Sequence, residues 1–107
     1  MLIPKREIIR SDEHLKFIRM LPCVMTGMQG GCDPAHIRKG FNCMGVKPPD
    51  SRVVPLTYAE HRKQHNKGEP AYWGDLIDRA IWLSGLLWDN TGDFEKCEEL
   101  IKKWKTK

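Results

Sequence analysis

"SRVVPLTYAEHRKQHNKG", residues 51–68, changes its period within one short stretch. Val53, Val54 and Leu56 suit a short strand, because β-branched residues pack well on a pleated surface. Pro55 has no N–H to give to a ladder, so it must face an edge or close the strand. Thr57 then reads as a helix N-cap, with Glu60 three residues later completing a capping box, and Gly68 ends the helix. Inside that helix His61 and His65 stand four apart, so both imidazoles project from one side. Two imidazoles at this spacing can share one divalent ion. The same spacing also arises by chance on a basic, solvated helix face, so the pair alone decides nothing.

Upstream lies "TGMQGGCDPAHIRKGFNCMGVKPPDS", residues 26–51, with five glycines and three prolines. That composition disfavours regular structure over most of it. Long irregular segments in small domains often carry function. A short extended piece is expected around Ala35–Arg38, carrying His36. The order is therefore strand, glycine-rich loop, strand, helix, with one histidine on the first strand and two on the helix. Physics gives the order a use. A histidine near a bound metal, but off it, could take a proton from water. The ion would offset the charge that builds on a scissile phosphate and its leaving oxygen. Arg38, Lys39, Arg62 and Lys63 are candidate contacts to the flanking phosphates. Together these parts make a phosphodiester hydrolase. Read singly, His36 is a weak signal and the basic residues are an ordinary solvated face.

Charge supports the grouping. From Arg38 to Lys67 there are seven Lys or Arg against two acids, Asp50 and Glu60, whereas from Gly68 to Glu99 the acids outnumber the bases. The net charge of +4 over 107 residues is by itself only a mild lean toward polyanions. A chain of this length suits one small domain. No apolar run approaches the roughly 20 residues of a membrane span. "MLIPKREIIRSDEH" has no apolar h-region or small-residue cleavage site, so a cytoplasmic protein with no membrane partner is expected.

On the flanks, Ser11 reads as the N-cap of a helix from about residue 12 to 20, with Asp12 and Glu13 in its first turn. Leu15, Ile18 and Leu21 share its apolar side, Phe17 is adjacent, and Pro22 stops it. His14 reads as a surface or capping histidine. In the last third, Trp73, Ile77, Ala80, Ile81 and Trp88, with Leu76 and Leu87, form one apolar stripe. "DNTGD" breaks it. A final helix places Phe94, Cys97, Leu100, Ile101 and Trp104 on one face. The four tryptophans, Trp73, Trp82, Trp88 and Trp104, read as core; stacking on exposed bases is the alternative. The four cysteines, Cys23, Cys32, Cys43 and Cys97, form no C-x-x-C pair, so buried inert thiols are expected in a reducing compartment.

"DPAHIRKG", "MGVKPPDSRVVPL" and "EHRKQHNKGEPAYW" together resemble the HNH, or His-Me finger, endonucleases. The likeness is nearest to small phage and prophage members similar to the RecA-dependent recombination enhancement function nucleases. It covers roughly residues 15 to 73, beginning at "FIRMLPC", and leaves out the last third. It implies an α+β fold: a small ββα-metal core, about residues 23–69, flanked by an N-terminal helix and two C-terminal helices. The whole of 1–107 would be a single domain, with a helical extension over about 71–105. His36 matches the general base, and His61 and His65 match the metal-binding histidines. The implied activity is metal-dependent DNA cleavage of little sequence specificity, with Mg²⁺, Mn²⁺ or Zn²⁺, in phage recombination, repair or packaging. DNA is the implied partner, and a recombinase is a candidate second one.

Four positions depart from the family pattern. Arg52 stands near the family's middle asparagine, and Asp50 is placed to fix the loop instead. Ala35 stands where relatives carry a metal ligand directly before the base. Asp33 could supply that ligand, phosphate and waters could, or His36 could itself be one. Cys23 matches the first of the family's zinc cysteines, but Thr26 and Thr57 stand where others would be, so a structural zinc is expected to be lost. A zinc on Cys23, Cys32 and Cys43 is the alternative. Two other functions remain open: an HNH-derived module that binds nucleic acid without cutting it, and a protein whose zinc only holds the fold.

Overall fold

Ser11 begins the first described helix as expected. In the computed structural model, which describes residues 10–40 and 48–105, its side chain accepts the His14 N–H at 3.1 Å. Cys43 and Lys47 lie outside the described residues. Helix α1 (Asp12–Arg19) carries Asp12 and Glu13 in its first turn and Lys16 and Arg19 in its last, both favourable to its dipole. It buries His14, Phe17 and Ile18, residues at i, i+3 and i+4 of one face.

His14 therefore differs from its expected place at the surface. It is completely buried. The Thr91 hydroxyl donates to the Trp88 carbonyl at 2.8 Å, so it can accept from His14 Nδ1, 2.7 Å away. The imidazole also meets Trp88 edge to face, with ring centroids 4.9 Å apart. Burial lowers the His14 pKa, and the charge of Asp50 opposes that only in part.

Strands β1 (Asp33–His36) and β2 (Val53–Leu56) pair antiparallel, His36 opposite Val53 and Pro34 opposite Pro55. The first strand starts two residues earlier than expected, and the proline pair explains how. Ile37 donates to the Arg52 carbonyl at 2.9 Å. Ladder bonds alternate, so Ala35–Val54 is the next bonded pair and the two prolines fall where no N–H is called for. All four β2 residues are buried, as are Ala35 and Ile37. Helix α1 packs on both strands.

Helix α2 (Tyr58–Lys67) runs as expected from the Thr57 cap, which accepts the Glu60 N–H at 3.3 Å. The return half of the capping box is not made. Thr57 donates its N–H to Cys23 Sγ at 3.4 Å, and the Glu60 carboxylate accepts from Tyr72 Oη at 2.8 Å and Lys63 at 3.2 Å. A tertiary partner has outcompeted the local one. Gly68 ends α2 at φ +83°, a conformation L side chains rarely adopt, and the chain turns directly into α3 (Glu69–Trp73).

The expected apolar stripe breaks at Gly74, φ +56°, where a single 3-10 turn precedes α4 (Ile77–Asp89). Helix α4 buries Ala80, Leu83, Ser84 and Leu87, while Ile77, Ile81 and Trp88 are half-buried. Its inward face is thus rotated from the one expected. Apolar residues lie nearly all around this helix, so period alone does not select a side. Helix α4 covers β2 and the Asp50–Arg52 turn, and burying a leucine such as Leu83 contributes roughly 1.5–3 kcal/mol. The tryptophans divide. Trp73 and Trp104 are buried, and Trp104 Nε1 donates to the Val24 carbonyl at 3.0 Å. Trp82 is exposed, with the Arg79 guanidinium 5.1 Å from its ring centroid. Helix α5 (Phe94–Lys103), capped by Asp93, buries Cys97 and Ile101, with Phe94 and Leu100 packed against the core as expected. Among the described residues no helix is long and apolar enough to cross a membrane.

Candidate functional site

Strand alternation sorts β1. Pro34 and His36 line a cleft beside α2, whereas Ala35 is turned into the core. Any longer side chain at position 35 would point away from His36. The cleft, about 390 Å³, is also lined by Arg38, Pro48, His61, Gln64, His65, Gly68 and Glu69. His36 and both α2 histidines therefore meet at one place.

His36 Nε2 lies 2.8 Å from Asp50 Oδ1, with the His36 side chain 16% exposed and the Asp50 side chain 3%. Asp50 opens the short 3-10 turn Asp50–Arg52 that feeds β2. Its Oδ2 accepts the Ser11 N–H at 2.8 Å, and the Arg10 guanidinium stands 3.7 Å from Oδ1. Burial alone would raise the Asp50 pKa. The hydrogen bonds from His36 and Ser11 and the positive charges of His36 and Arg10 outweigh it and hold the carboxyl below its ordinary value. Asp50 is then ionised at neutral pH and can only accept hydrogen bonds. It follows that His36 Nε2 carries the proton, and in the neutral ring the lone pair is on Nδ1.

On α2, Gln64 joins the two histidines because 61, 64, 65 and 68 share one helical face. Its Nε2 donates to the His36 carbonyl at 3.2 Å, tying α2 to β1 at the residue that matters. Gln64 is buried, and its Oε1 has no partner among the described residues. His61 Nδ1 is 3.3 Å from Asp33 Oδ2, and the His61 and His65 rings lie 4.9 Å apart, tilted by 43°.

These donors can be tested against a metal ion. Among the described residues no group of three or more His, Cys, Asp or Glu forms a ready-made shell. What is present is an imidazole pair, a carboxylate on the Nδ1 side of His61, and a buried amide oxygen in want of a partner. Imidazole nitrogen with oxygen suits a divalent cation that keeps solvent or substrate positions open. A carboxylate on the far nitrogen of a ligating histidine is a common orienting arrangement. The set fits an ion held by two histidines and completed from the cleft.

Of the four candidate phosphate contacts, Arg38 lines the cleft; Lys39, Arg62 and Lys63 lie outside it. The backbone N–H groups of Arg38 and Lys39 donate to the Glu69 carboxylate at 2.5 and 3.2 Å, which fixes the exit from β1. Lys39 Nζ pairs with Asp78 at 2.8 Å and Lys63 with Glu60 at 3.2 Å. Arg62 donates to Tyr58 Oη at 3.0 Å. Exposed ion pairs are worth at most about 1 kcal/mol, so a phosphate can displace them. Arg52, near the position of the middle asparagine in the HNH enzymes that the sequence resembles, does not line the cleft. It donates to the Lys39 carbonyl at 2.8 Å, and its Nη2 lies 3.7 Å from where a Cβ on Gly40 would stand.

Cys23 and Cys32 are both buried. Burial would raise the Cys23 pKa, but hydrogen bonds from the Thr26 side chain and from the N–H groups of Thr57, Thr26 and Met25 lower it overall. Both threonines thus contact Cys23. Burial, with the charges of Cys23 and Asp33, pushes the Cys32 thiol up to about 11.

Sequence reasoning gave Asp50 only a loop-fixing part and missed Gln64 and Glu69. The helical spacing from His61 carried a signal for Gln64. Nothing local carried one for Glu69, which reaches back 31 residues to Arg38. A family model described as a protein of unknown function (DUF968) matches residues 1–75, which include β1, β2, α2 and every residue of the cleft. No curated protein and no solved structure matches the chain.

Proposed function

The chain belongs to the DUF968 family, whose description names no function; from the geometry of the cleft and the sequence resemblance we propose that it is a metal-dependent DNA endonuclease of the HNH type, built on a ββα-metal core. One observation carries the reading: His36 from β1 and His61 and His65 from the helix after β2 line a single cleft. The alternation of β1 and the helical spacing of α2 both aim at that place.

The roles follow from the chemistry. His36 is the general base, taking a proton from water at Nδ1. His61 and His65 would hold the divalent ion, Mg²⁺, Mn²⁺ or Zn²⁺; Asp33, expected from the sequence as a further ligand, lies 3.3 Å from His61 Nδ1 and from there would support the ion through that ring. When bound, the ion supplies Lewis-acid stabilisation of the phosphate and its leaving oxygen. Arg38 at the cleft, with Lys39, Arg62 and Lys63 outside it, holds the flanking phosphates. The partner is DNA, and the family likeness adds phage recombination, repair or packaging as the setting, with a recombinase as a candidate partner.

A second reading rests on Ala35, whose side chain is enclosed by the core and supplies no ligand. On that reading the chain is an HNH-derived module that holds DNA without cutting it. Purified protein with plasmid and single-stranded DNA separates the two. The endonuclease nicks DNA with Mg²⁺ or Mn²⁺ and stops when the ion is chelated. Tight, strongly salt-dependent binding with no cleavage under any divalent ion rejects the endonuclease and favours the module.

A further inference from the structure

Three distant segments converge on one buried carboxylate. Arg10 and Ser11 come from the start of α1, His36 from β1, and Asp50 itself from the turn before β2. Enclosing a carboxylate this fully is costly unless its oxygens are matched by donors. Here Oδ2 takes the Ser11 N–H and Oδ1 takes His36 Nε2–H, with Arg10 near.

We infer that Asp50 is a positioning residue: anchored by the start of α1, it holds the His36 ring in one orientation and keeps its proton on Nε2. The inference deepens the endonuclease reading and rests on it for its catalytic consequence. An imidazole in the wrong tautomer has no lone pair at the nitrogen that must accept the proton. Asp50 touches neither substrate nor ion in this account; it acts through His36.

The chemistry supplies a discriminating variant. In Asp50→Asn the side-chain oxygen can still accept the Ser11 N–H, so that anchor survives. The amide NH₂ would then face His36 Nε2 and force the lone pair onto it. Asparagine is thus nearly isosteric with aspartate but inverts the tautomer, which a purely structural role would not predict.

The test is ¹⁵N NMR of the histidine rings, with His36 assigned from a His36→Gln spectrum. In the wild type, His36 is expected as the Nε2–H tautomer; in Asp50→Asn, as the Nδ1–H tautomer. Cleavage by Asp50→Asn is expected to fall at least about 100-fold in kcat with KM little changed. A wild-type His36 in the Nδ1–H form overturns the inference without any variant having to fold. So does an Asp50→Asn protein that keeps the Nε2–H form. A tautomer that switches while kcat is unchanged overturns the catalytic consequence. A wild type that never cuts overturns the endonuclease reading, and the ring spectrum still judges Asp50.

Discussion

Two histidines feel the charge of Asp50. His36 meets it directly at 2.8 Å, at the margin of an open cleft. His14 is completely buried, with the neutral Thr91 hydroxyl and the Trp88 ring of α4 for company. At His14 desolvation outweighs the carboxylate's pull, so the ring is held neutral and serves packing. At His36 the carboxylate is in contact and the ring borders solvent, an arrangement suited to moving a proton. One carboxylate serves two imidazoles, and the distance and the access of water separate a core residue from a site residue.

The largest effect that would sharpen this contrast is on activity. His36→Ala is expected to lower DNA cleavage by about 10²–10⁴-fold, with a loss of stability of about 1–3 kcal/mol because the buried Asp50 carboxylate loses a donor. A folded His36→Ala protein that cuts like the wild type would break the contrast by making His36 structural alone. Next come His61→Ala and His65→Ala. Losing an outer partner of a metal typically costs about 10–100-fold in affinity, so losing a ligand should cost no less. Calorimetric titration with Mn²⁺ alone reads this, and unchanged affinity in both variants would remove the pair from metal binding.

His14→Ala should do the reverse of His36→Ala. It leaves a cavity and removes the donor to the Thr91 hydroxyl, so urea unfolding should show a loss of about 2–4 kcal/mol, with kcat per folded molecule unchanged. The pH dependence carries the same contrast at smaller scale. The folded-state pKa of His14 lies below the ordinary 6.5, so the unfolded chain binds the proton first. This contribution to stability is present above about pH 6.5 and is lost as pH falls below it. Urea midpoints at pH 7.5 and 5.5 should therefore draw together in His14→Phe; an unchanged gap would show that other groups set the slope. The smallest effect concerns exposed charge. Each of Arg62→Ala and Lys63→Ala should reduce the slope of log K against log salt by about 0.9 for duplex DNA, with little change in cleavage at saturating enzyme.

Much of this arrangement could be read in the residues where a local signal was strong. Thr57 and Gly68 bound α2, and the 61–65 spacing put two imidazoles on one face. Ser11 likewise capped α1, and the apolar faces of α1 and α5 are narrow enough to orient them. What could not be read depended on partners far along the chain. Asp50 meets Ser11 across 39 positions. The proline pair is allowed only by a register that neither strand announces. Glu60 was expected to close its own capping box, but Tyr72 Oη offers it a better-placed donor. Helix α4, apolar on most sides, left its inward face to be chosen by the sheet it covers. The position before His36 shows the limit from the other side: Ala35 reads as a lost ligand, and its place in the core shows that it packs instead.

The central claim is that a base on β1 and a metal-holding pair on α2 act across one cleft. The most direct test takes wild type, His36→Ala and the double variant His61→Ala/His65→Ala through one experiment. It measures Mn²⁺ affinity and the rate of plasmid nicking on matched, folded samples. The account predicts that His36→Ala binds Mn²⁺ like the wild type but hardly nicks, and that the double variant neither binds nor nicks. Nicking by His36→Ala at the wild-type rate, or Mn²⁺ binding undiminished in the double variant, would contradict it.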